Sequence, residues 1–272
     1  MKDLTTIGGQ RASRLGLGGT PNMEPGCVPA AREAGLNWFF FYNLSFDGLI
    51  GPLGELAGQD RDNLIIATGT EARDEASVED AYEQALRRLG VETIDVFFVE
   101  YLSPKDDIDA LLARGGLFDL LSEWQRDRRI RYVGATCHNR DLAVRLIIDA
   151  RVDVLMHRYN MAHRGAEEKA LPAAKAKGVP VVAFTATRWG TLLEGHAKWK
   201  GAIPTAADCY RYTLAHPAVR LAITAPRTIT QLEQNLTALT SETPTADQLE
   251  NWRSYGSLIY GRGNDAFDTE WP

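Results

Sequence analysis

The stretch that decides the fold runs from Asn63 to Val99 and reads NLIIATGTEARDEASVEDAYEQALRRLGVETIDVFFV. It begins with a short apolar run, LIIAT at residues 64–68, which is typical of a parallel strand buried on both faces. The segment SVED at residues 77–80 resembles a capping box, and apolar residues from Val78 to Leu89 then recur at helical spacing. A second apolar run at Ile94–Val99 predicts another strand. The stretch therefore predicts a strand, a helix and a second strand.

The same alternation extends over most of the chain. Strands and helices that alternate in this way form parallel sheets with right-handed helical crossovers. We predict strands at Arg14–Leu17, Trp38–Tyr42, Leu64–Thr68, Ile94–Val99, Arg131–Ala135, Val154–Met156, Val181–Phe184 and Leu221–Ile223. We predict further helices at Cys27–Ala34, Ile108–Arg126, Asp141–Asp149, Ala166–Ala176 and Ala206–Ala215, and one that opens at a capping box, Thr230–Glu233, and reaches about Leu239.

Eight strand–helix units in a chain of 272 residues indicate a (β/α)8 TIM barrel, with residues 1–272 forming a single domain. A doubly wound open sheet is the alternative, and it usually carries a glycine-rich phosphate turn after its first strand. The segment LGGT at Leu17–Thr20 lacks the GxGxxG spacing of that turn. The closed barrel is therefore favoured.

Charge and composition indicate which kinds of binding partner the protein has. The net charge of -6 argues against nucleic acid and acidic membrane surfaces, which select basic patches. No apolar run approaches the roughly 18 residues of a membrane span. Three cysteines without a CxxC pair favour a reducing compartment. We therefore expect a cytoplasmic protein whose partner is a small molecule; oligomeric state is not indicated.

Several segments spread over residues 13–240 resemble the aldo-keto reductases. They follow the family's order along the chain and comprise RLGLGGT at 14–20, GLNWF at 35–39, RRLG at 87–90 with Ile94–Asp95, DVLMHRYN at 153–160 with GAE at 165–167, AFTATRWG at 183–190, and residues 223–236. The resemblance implies the (β/α)8 fold, oxidoreductase activity on a small carbonyl compound and an NADP cofactor.

The resemblance also implies that this is a divergent member. Aldo-keto reductases use an Asp, a Tyr, a Lys and a His at the mouth of the barrel to move a proton onto the substrate carbonyl. The matching positions here are Phe40 for the Asp, Gly69 for the Lys, Glu100 for the His, and the neighbourhood of Ser45 for the Tyr. A phenyl ring and a glycine offer no charge, so the family's proton relay is not expected to operate.

Glu100 and Tyr42 are the candidate catalytic residues. Glu100 ends an apolar strand at the expected mouth of the barrel, where burial raises the pKa of a carboxyl group and suits it to acid–base catalysis. The alternative is a structural carboxylate that caps a helix or pairs with Arg131 or Arg158. Tyr42 is either a substrate contact and proton donor or a ring packed under a loop.

The candidate cofactor-binding residues follow from the resemblance. Thr136 corresponds to a serine that binds the nicotinamide amide, and Phe184 to an aromatic ring that stacks on the nicotinamide. Residues expected near the phosphates and adenine are Arg188, Arg227, Thr228, Gln231 and Asn235. The candidate substrate-binding residues, in loops after the strands, are Asn43, Arg158 and Trp189. Five histidines without an HExxH motif or paired cysteines predict no metal site.

Three functions remain open at this point. The first is a divergent oxidoreductase that keeps NADP and uses Glu100 or Tyr42 as its proton donor. The second is a cofactor-free isomerase or lyase that uses Glu100 as its base. The third is a barrel without catalytic activity, a pseudoenzyme that binds a metabolite or nucleotide.

Overall fold

A closed barrel of eight parallel strands forms the core of the computed structural model, which describes residues 3–149 and 151–261. The strands follow sequence order around the barrel, and the last one pairs with the first. The prediction of a (β/α)8 barrel is confirmed. The strands are β1 Leu15–Gly18, β2 Trp38–Phe40, β3 Ile65–Thr70, β4 Ile94–Leu102, β5 Ile130–Cys137, β6 Val154–Arg158, β7 Val181–Phe184 and β8 Val219–Thr224.

Helices connect the strands and cover the outside of the barrel. They are α1 Cys27–Glu33, α2 Asp47–Asp60, α3 Glu75–Leu89, α4 Ile108–Leu112, α5 Leu117–Arg126, α6 Arg140–Ile148, α7 Ala170–Lys177, α8 Ala206–Ala215, α9 Ile229–Thr240 and α10 Ala246–Tyr260. Short 3-10 turns lie at Arg61–Asn63, Gly165–Glu167 and Thr191–Leu193. No helix in the described ranges is long and apolar enough to cross a membrane.

Alternate residues of the strands fill the interior of the barrel. This inner apolar cluster is separate from the larger cluster between strands and helices, because side chains along a strand point to opposite faces. Phe40 and Phe98 meet edge to face near its upper end, with ring centres 6.0 Å apart. The cluster contains Leu4, Ala12, Trp38, Phe40, Ile65, Ala67, Val96, Phe98, Val154, Met156, Val182, Leu221 and Ile223, with Tyr132 and Phe184 packed against it.

The N-terminal segment closes the lower end of the barrel. Leu4 and Ala12 are buried in the inner cluster, and an antiparallel bridge joins Thr5 to Arg11. The hydroxyl group of Tyr132 accepts a hydrogen bond from the Thr5 backbone N–H at 3.1 Å. The interior therefore opens at the C-terminal ends of the strands.

Two helices, α2 and α10, were not predicted from the sequence. Helix α2 contains four glycines and Pro52, a composition that indicates a loop. Two of the glycines allow close packing, since a Cβ at Gly48 would lie 2.0 Å from the Met23 carbonyl oxygen and one at Gly54 would lie 2.9 Å from that of Leu89. Helix α10 begins with a capping box between Thr245 and Gln248.

Four predicted helix boundaries were wrong, and one is the start of α7, which was predicted at Ala166 and lies at Ala170, after the 3-10 turn Gly165–Glu167. The helix predicted at Ile108–Arg126 is broken into α4 and α5 by a turn in which Gly115 has a φ of 76°. Helix α3 starts earlier than the SVED pattern indicated, because the Asp74 side chain caps it. Helix α9 is capped by Thr228 and not by Thr230. In both capping errors an earlier polar side chain satisfies the free N–H groups of the first turn.

Candidate active site

Glu100 lies at the mouth of the barrel, next to Gly69. The side chain of Glu100 is 4% exposed, and its Oε1 atom has no hydrogen-bond partner among the described residues. Arg131, one of the two proposed partners of Glu100, pairs instead with Asp95 at the opposite end of the strands. The predicted salt bridge to Arg131 is therefore wrong.

Burial, and after it the nearby charge of Glu71, raise the pKa of Glu100 from the ordinary carboxyl range to about 8. The positive charge of Arg73 opposes both effects, but more weakly. The Arg73 guanidinium is directed elsewhere, since it donates to the Asp106 carboxylate at 2.8 Å and to the backbone carbonyl of Glu100 at 2.8 Å. At neutral pH the Glu100 carboxyl group is therefore mostly protonated and able to donate.

Gly69 leaves no space for a longer side chain. A Cβ at this position would lie 2.2 Å from the Phe98 carbonyl oxygen and 2.9 Å from Cγ of Glu100. A lysine at the same position would collide with the neighbouring strand and with Glu100. The glycine is therefore required by the close approach of β4 at this position.

Tyr42 and Asn43 follow β2 at the same side of the mouth. Tyr42 is 49% exposed, and its ring meets that of Phe46 edge to face at 5.0 Å. Partial burial, and then the charge of Glu100, raise the pKa of Tyr42, so it is a weaker acid than Glu100. The Asn43 side chain accepts a hydrogen bond from the Ser45 backbone N–H at 2.9 Å, which shapes the turn.

A groove of about 430 Å³ extends from Glu100 across Gly69 to helix α3. Its other polar walls come from the loops after β2 and β3 and from one face of the helix. The side chains of Gln84 and Asp80 are hydrogen-bonded to each other at 2.6 Å. We call it the acidic groove and define it by Tyr42, Asn43, Glu71, Asp80, Gln84 and Glu100.

Aromatic rings occupy the other side of the mouth, above β5 to β7. The His138 ring lies parallel to that of Phe184, with ring centres 5.7 Å apart, and Trp189 meets Phe184 edge to face at 6.2 Å. Nδ1 of His138 accepts a hydrogen bond from the Arg158 backbone N–H at 3.2 Å. Burial lowers the pKa of His138 well below its ordinary value. His138 is therefore neutral at pH 7.

The side chains of Thr136 and Arg188 differ in their capacity to form a hydrogen bond with a ligand. Thr136 is buried at the end of β5, and its hydroxyl group has no hydrogen-bond partner among residues 3–149 and 151–261. Arg188 is also buried and donates to the Ile259 carbonyl oxygen in α10 at 3.0 Å. Arg158 lies over the Trp189 ring at 5.9 Å. Thr136 therefore offers an unused polar group, whereas Arg188 is held by α10.

The predicted nucleotide-binding residues gather at the start of α9, but most of them make internal contacts. The Gln231 amide oxygen accepts the Arg227 backbone N–H at 2.8 Å, and the Thr228 hydroxyl caps the helix by accepting the Gln231 N–H at 3.2 Å. The Asn235 amide donates to the Thr224 hydroxyl at 2.9 Å. The side chain of Arg227 is exposed at the same place.

A carboxylate already occupies the first turn of α9. Glu24 accepts the Ile229 backbone N–H at 2.9 Å, so a negative charge lies where the helix would attract a phosphate. Glu24 was not predicted as a site residue, and neither were His138 and Glu71. The sequence gives a signal only for Glu71, which follows Gly69 at the alternating spacing of a strand. The positions of Glu24 and His138 depend on contacts distant in the sequence.

A second cavity of about 680 Å³ lies beside the mouth, between β5, β6 and α10. Its walls carry charged pairs such as Arg253 with Glu167, which are joined by two hydrogen bonds of 2.9 Å. Nδ1 of buried His157 donates a hydrogen bond to the Cys137 carbonyl oxygen, and burial lowers the pKa of His157 to about 4. Across the described ranges no group of three or more His, Cys, Asp or Glu is arranged to hold a metal ion.

The sequence also matches a known family model. The model of the aldo/keto reductase family matches residues 49–204, more than half of the 272 residues. The chain belongs to the aldo/keto reductase family. Members of this family are oxidoreductases, and the resemblance inferred from the sequence motifs is confirmed. A comparison with curated protein sequences finds no match.

Solved aldo-keto reductases share the fold over almost their whole length. The holo form of an aldo-keto reductase from Bacillus halodurans has a TM-score of 0.78 and 20% identity, covering 96% of this chain and 99% of that chain. An aldo/keto reductase from Klebsiella pneumoniae in complex with NADP and acetate has a TM-score of 0.75 and 21% identity, covering 94% and 95%. At this identity the likeness concerns the fold.

Proposed function

We propose that the chain is an oxidoreductase of small carbonyl compounds in which Glu100 is the proton donor. The observation that carries the proposal is the buried carboxyl group of Glu100, whose Oε1 has no partner among the described residues and which lines a groove at the mouth of the barrel. A protonated carboxyl group there can donate a hydrogen bond to a substrate carbonyl and then transfer the proton.

The acid strength of Glu100 supports this role. A general acid works best when its pKa is close to the working pH, and the pKa of Glu100 is raised to about 8. Tyr42 is the other candidate donor, but its pKa is raised and the charge of Glu100 contributes to that shift. We therefore assign Tyr42 and Asn43 to substrate contact.

NADP is the proposed cofactor, and when bound it supplies the hydride. Its fit is supported by the buried, unpartnered hydroxyl of Thr136 and by the half-buried aromatic ring of Phe184. At the other end, Arg227 presents an exposed guanidinium group beside the first turn of α9. The proposed holding residues are Thr136, Phe184, Arg188, Arg227, Thr228, Gln231 and Asn235, and the proposed substrate contacts beyond Tyr42 and Asn43 are Arg158 and Trp189.

A cofactor-free isomerase or lyase is the second candidate, and the position of His138 favours it. Its ring lies parallel to Phe184 at 5.7 Å, so the chain itself contacts the aromatic ring proposed for the nicotinamide. In this candidate Glu100 takes a proton from carbon next to a carbonyl and returns it elsewhere.

Glu100→Gln tests both candidates, with Tyr42→Phe as the comparison. We expect the wild-type protein to oxidise NADPH with members of a panel of small aldehydes and ketones. The rate should fall at least ~100-fold in Glu100→Gln, the usual range for loss of a general acid, and only a few-fold in Tyr42→Phe. An unchanged rate in Glu100→Gln contradicts the proposal.

Deuterium exchange separates the two candidates. The same panel is incubated in D2O with the protein, first without nucleotide and then with NADPH. Exchange at the carbon next to the carbonyl without nucleotide, lost in Glu100→Gln, favours the isomerase or lyase. Turnover that requires NADPH favours the oxidoreductase. Binding without either reaction favours a barrel that has lost catalysis.

A further inference from the structure

The acidic groove carries charge of one sign. Two acidic side chains, Glu71 and Asp80, line it, and Glu100 is a third carboxyl group at its inner end. No Lys, Arg or His is among the residues that line it. We propose that the acidic groove binds an organic cation, so that the substrate of Glu100 carries an ammonium or guanidinium group. This inference rests on the proposed function and names its substrate class.

The nearest positive charge does not neutralise the groove. Arg73 follows Glu71 in the sequence, but its guanidinium is held by the Asp106 carboxylate at 2.8 Å and by backbone carbonyl oxygens. Asp80 is bonded only to the neutral amide of Gln84, and Glu71 makes no ion pair among the described residues. The groove therefore keeps a net negative potential that attracts a cation.

Glu100 provides an independent reason to expect a ligand in the groove. Its Oε1 is buried and lacks a hydrogen-bond partner within the described part of the chain. A buried oxygen without a hydrogen bond is destabilising, and the carbonyl group of a bound substrate would satisfy it. The ammonium or guanidinium end of the same substrate, with three or five N–H donors, would then face Glu71 and Asp80.

Tyr42 adds an aromatic surface at the outer end of the groove. About half of its side chain is exposed, and its ring is held by Phe46 at 5.0 Å. A cation above an aromatic face gains a further electrostatic attraction. The volume of about 430 Å³ is in the range of pockets that hold small molecules. Carboxylates together with an aromatic ring favour an organic cation.

The test compares two probes of equal size that differ in charge. Calorimetric titration of the full-length protein is carried out with butylammonium and with 1-butanol at low ionic strength. We expect butylammonium to bind at least tenfold more tightly. Its affinity should fall as salt is added, because mobile ions screen the attraction. Equal binding of the two probes would overturn the inference.

Substitutions of the groove carboxylates test whether butylammonium binds in the acidic groove. Glu71→Gln and Asp80→Asn should each lower the affinity for butylammonium about three- to tenfold, a typical range for removing one partly screened charge near a ligand. Glu75→Gln is the matched control, because Glu75 is an exposed carboxylate of the same helix that does not line the groove. If Glu75→Gln weakens binding as much as Glu71→Gln, the effect comes from net charge and the inference is wrong.

Proton counting provides a second readout that does not depend on turnover. A cation held by Glu71 and Asp80 leaves the proton on Glu100, so binding of butylammonium near pH 7 should release no more protons from the wild-type protein than from Glu100→Gln, measured by titration in buffers of different ionisation enthalpy. A larger release from the wild-type protein would show that the cation deprotonates Glu100, which overturns its role as proton donor. Cation binding with loss of turnover in Glu100→Gln supports both proposals. If butylammonium and 1-butanol bind equally and Glu100→Gln still loses turnover, only the proposal of cation binding is overturned. If butylammonium binds more tightly but Glu100→Gln keeps its turnover, only the catalytic role of Glu100 is overturned.

Discussion

Gly69 and Glu100 occupy one shared space, since a Cβ on Gly69 would lie 2.9 Å from Cγ of Glu100. The Phe98 carbonyl oxygen is closer still, at 2.2 Å. A side chain at residue 69 would therefore collide with the backbone of β4 and with Glu100. The glycine lets the Glu100 side chain lie against β3 inside the mouth.

Gly69→Ala should destabilise the protein by about 1–3 kcal/mol, because the added methyl group forces a shift of packed backbone. The free energy of unfolding is measured by urea denaturation. Gly58→Ala is the matched control, since nothing lies within 4 Å of a Cβ there and an alanine favours helix α2. We expect that control to gain about 0.5–1 kcal/mol. Equal stability of Gly69→Ala and the wild type would refute the steric argument.

The stability of the protein should depend on the ionisation of Glu100. Its pKa is raised to about 8 in the folded state and returns to the ordinary carboxyl value on unfolding. Between about pH 4.5 and pH 8 the folded state holds a proton that the unfolded state has lost, so stability falls as pH rises. In Glu100→Gln this loss should be absent. The measurement is the difference in unfolding free energy between the two proteins at pH 5 and pH 8, expected to reach a few kcal/mol.

Carbonyl reduction should follow the protonated form of Glu100. The rate should be level below the pKa of about 8 and fall tenfold per pH unit above it. The reverse oxidation, in which Glu100 accepts the proton, should show the opposite profile. Steady-state rates from pH 6 to 10 in both directions check this. A profile that is the same in both directions would exclude Glu100 as the group that transfers the proton.

Glu24 should oppose a 2′-phosphate at the start of α9. Its carboxylate already accepts the Ile229 N–H at 2.9 Å, and a phosphate bound at the same helix start would be repelled by it. Glu24→Gln should therefore tighten binding of 2′-phosphorylated nucleotides about three- to tenfold relative to NAD. Fluorescence titration with NADPH and NADH measures the ratio, and Glu33→Gln in α1 is the control. An unchanged ratio in Glu24→Gln would show that the phosphate binds elsewhere.

The barrel could be predicted from the sequence because its strands are buried on both faces. Apolar runs such as Ile94–Val99 are short, continuous and separated by helical periodicity, so their number and order were evident. The start of α9 and the turn after α4 could not be predicted, because local polar residues offer several capping positions. Tertiary contacts select among them.

Helix α2 illustrates why composition misleads. Its glycines indicate a loop when they are considered one residue at a time. In the folded protein, Gly48 and Gly54 permit α2 to approach the backbone of Met23 and Leu89. The contacts that require glycine at these two positions involve other segments, so the sequence of α2 alone does not predict them.

The candidate site was partly predictable for a similar reason. Glu100 stood out because a carboxyl group ended an apolar strand, and the family pattern placed it at the mouth. The unpartnered state of its Oε1 and the nearby charge of Glu71 are geometric facts. The same holds for the ring of His138 beside Phe184, which depends on how β5 and β7 curve around β6.

The N-terminal segment, which buries Leu4 and Ala12 under the barrel, closes the lower end and leaves the interior accessible only from above. Water cannot percolate from below to the buried carboxyl group through a layer of tightly packed apolar side chains. The hydrogen on Glu100 must then reach bulk solvent by way of the upper rim. A ligand bound at the upper rim would therefore slow the exchange of the Glu100 proton with solvent.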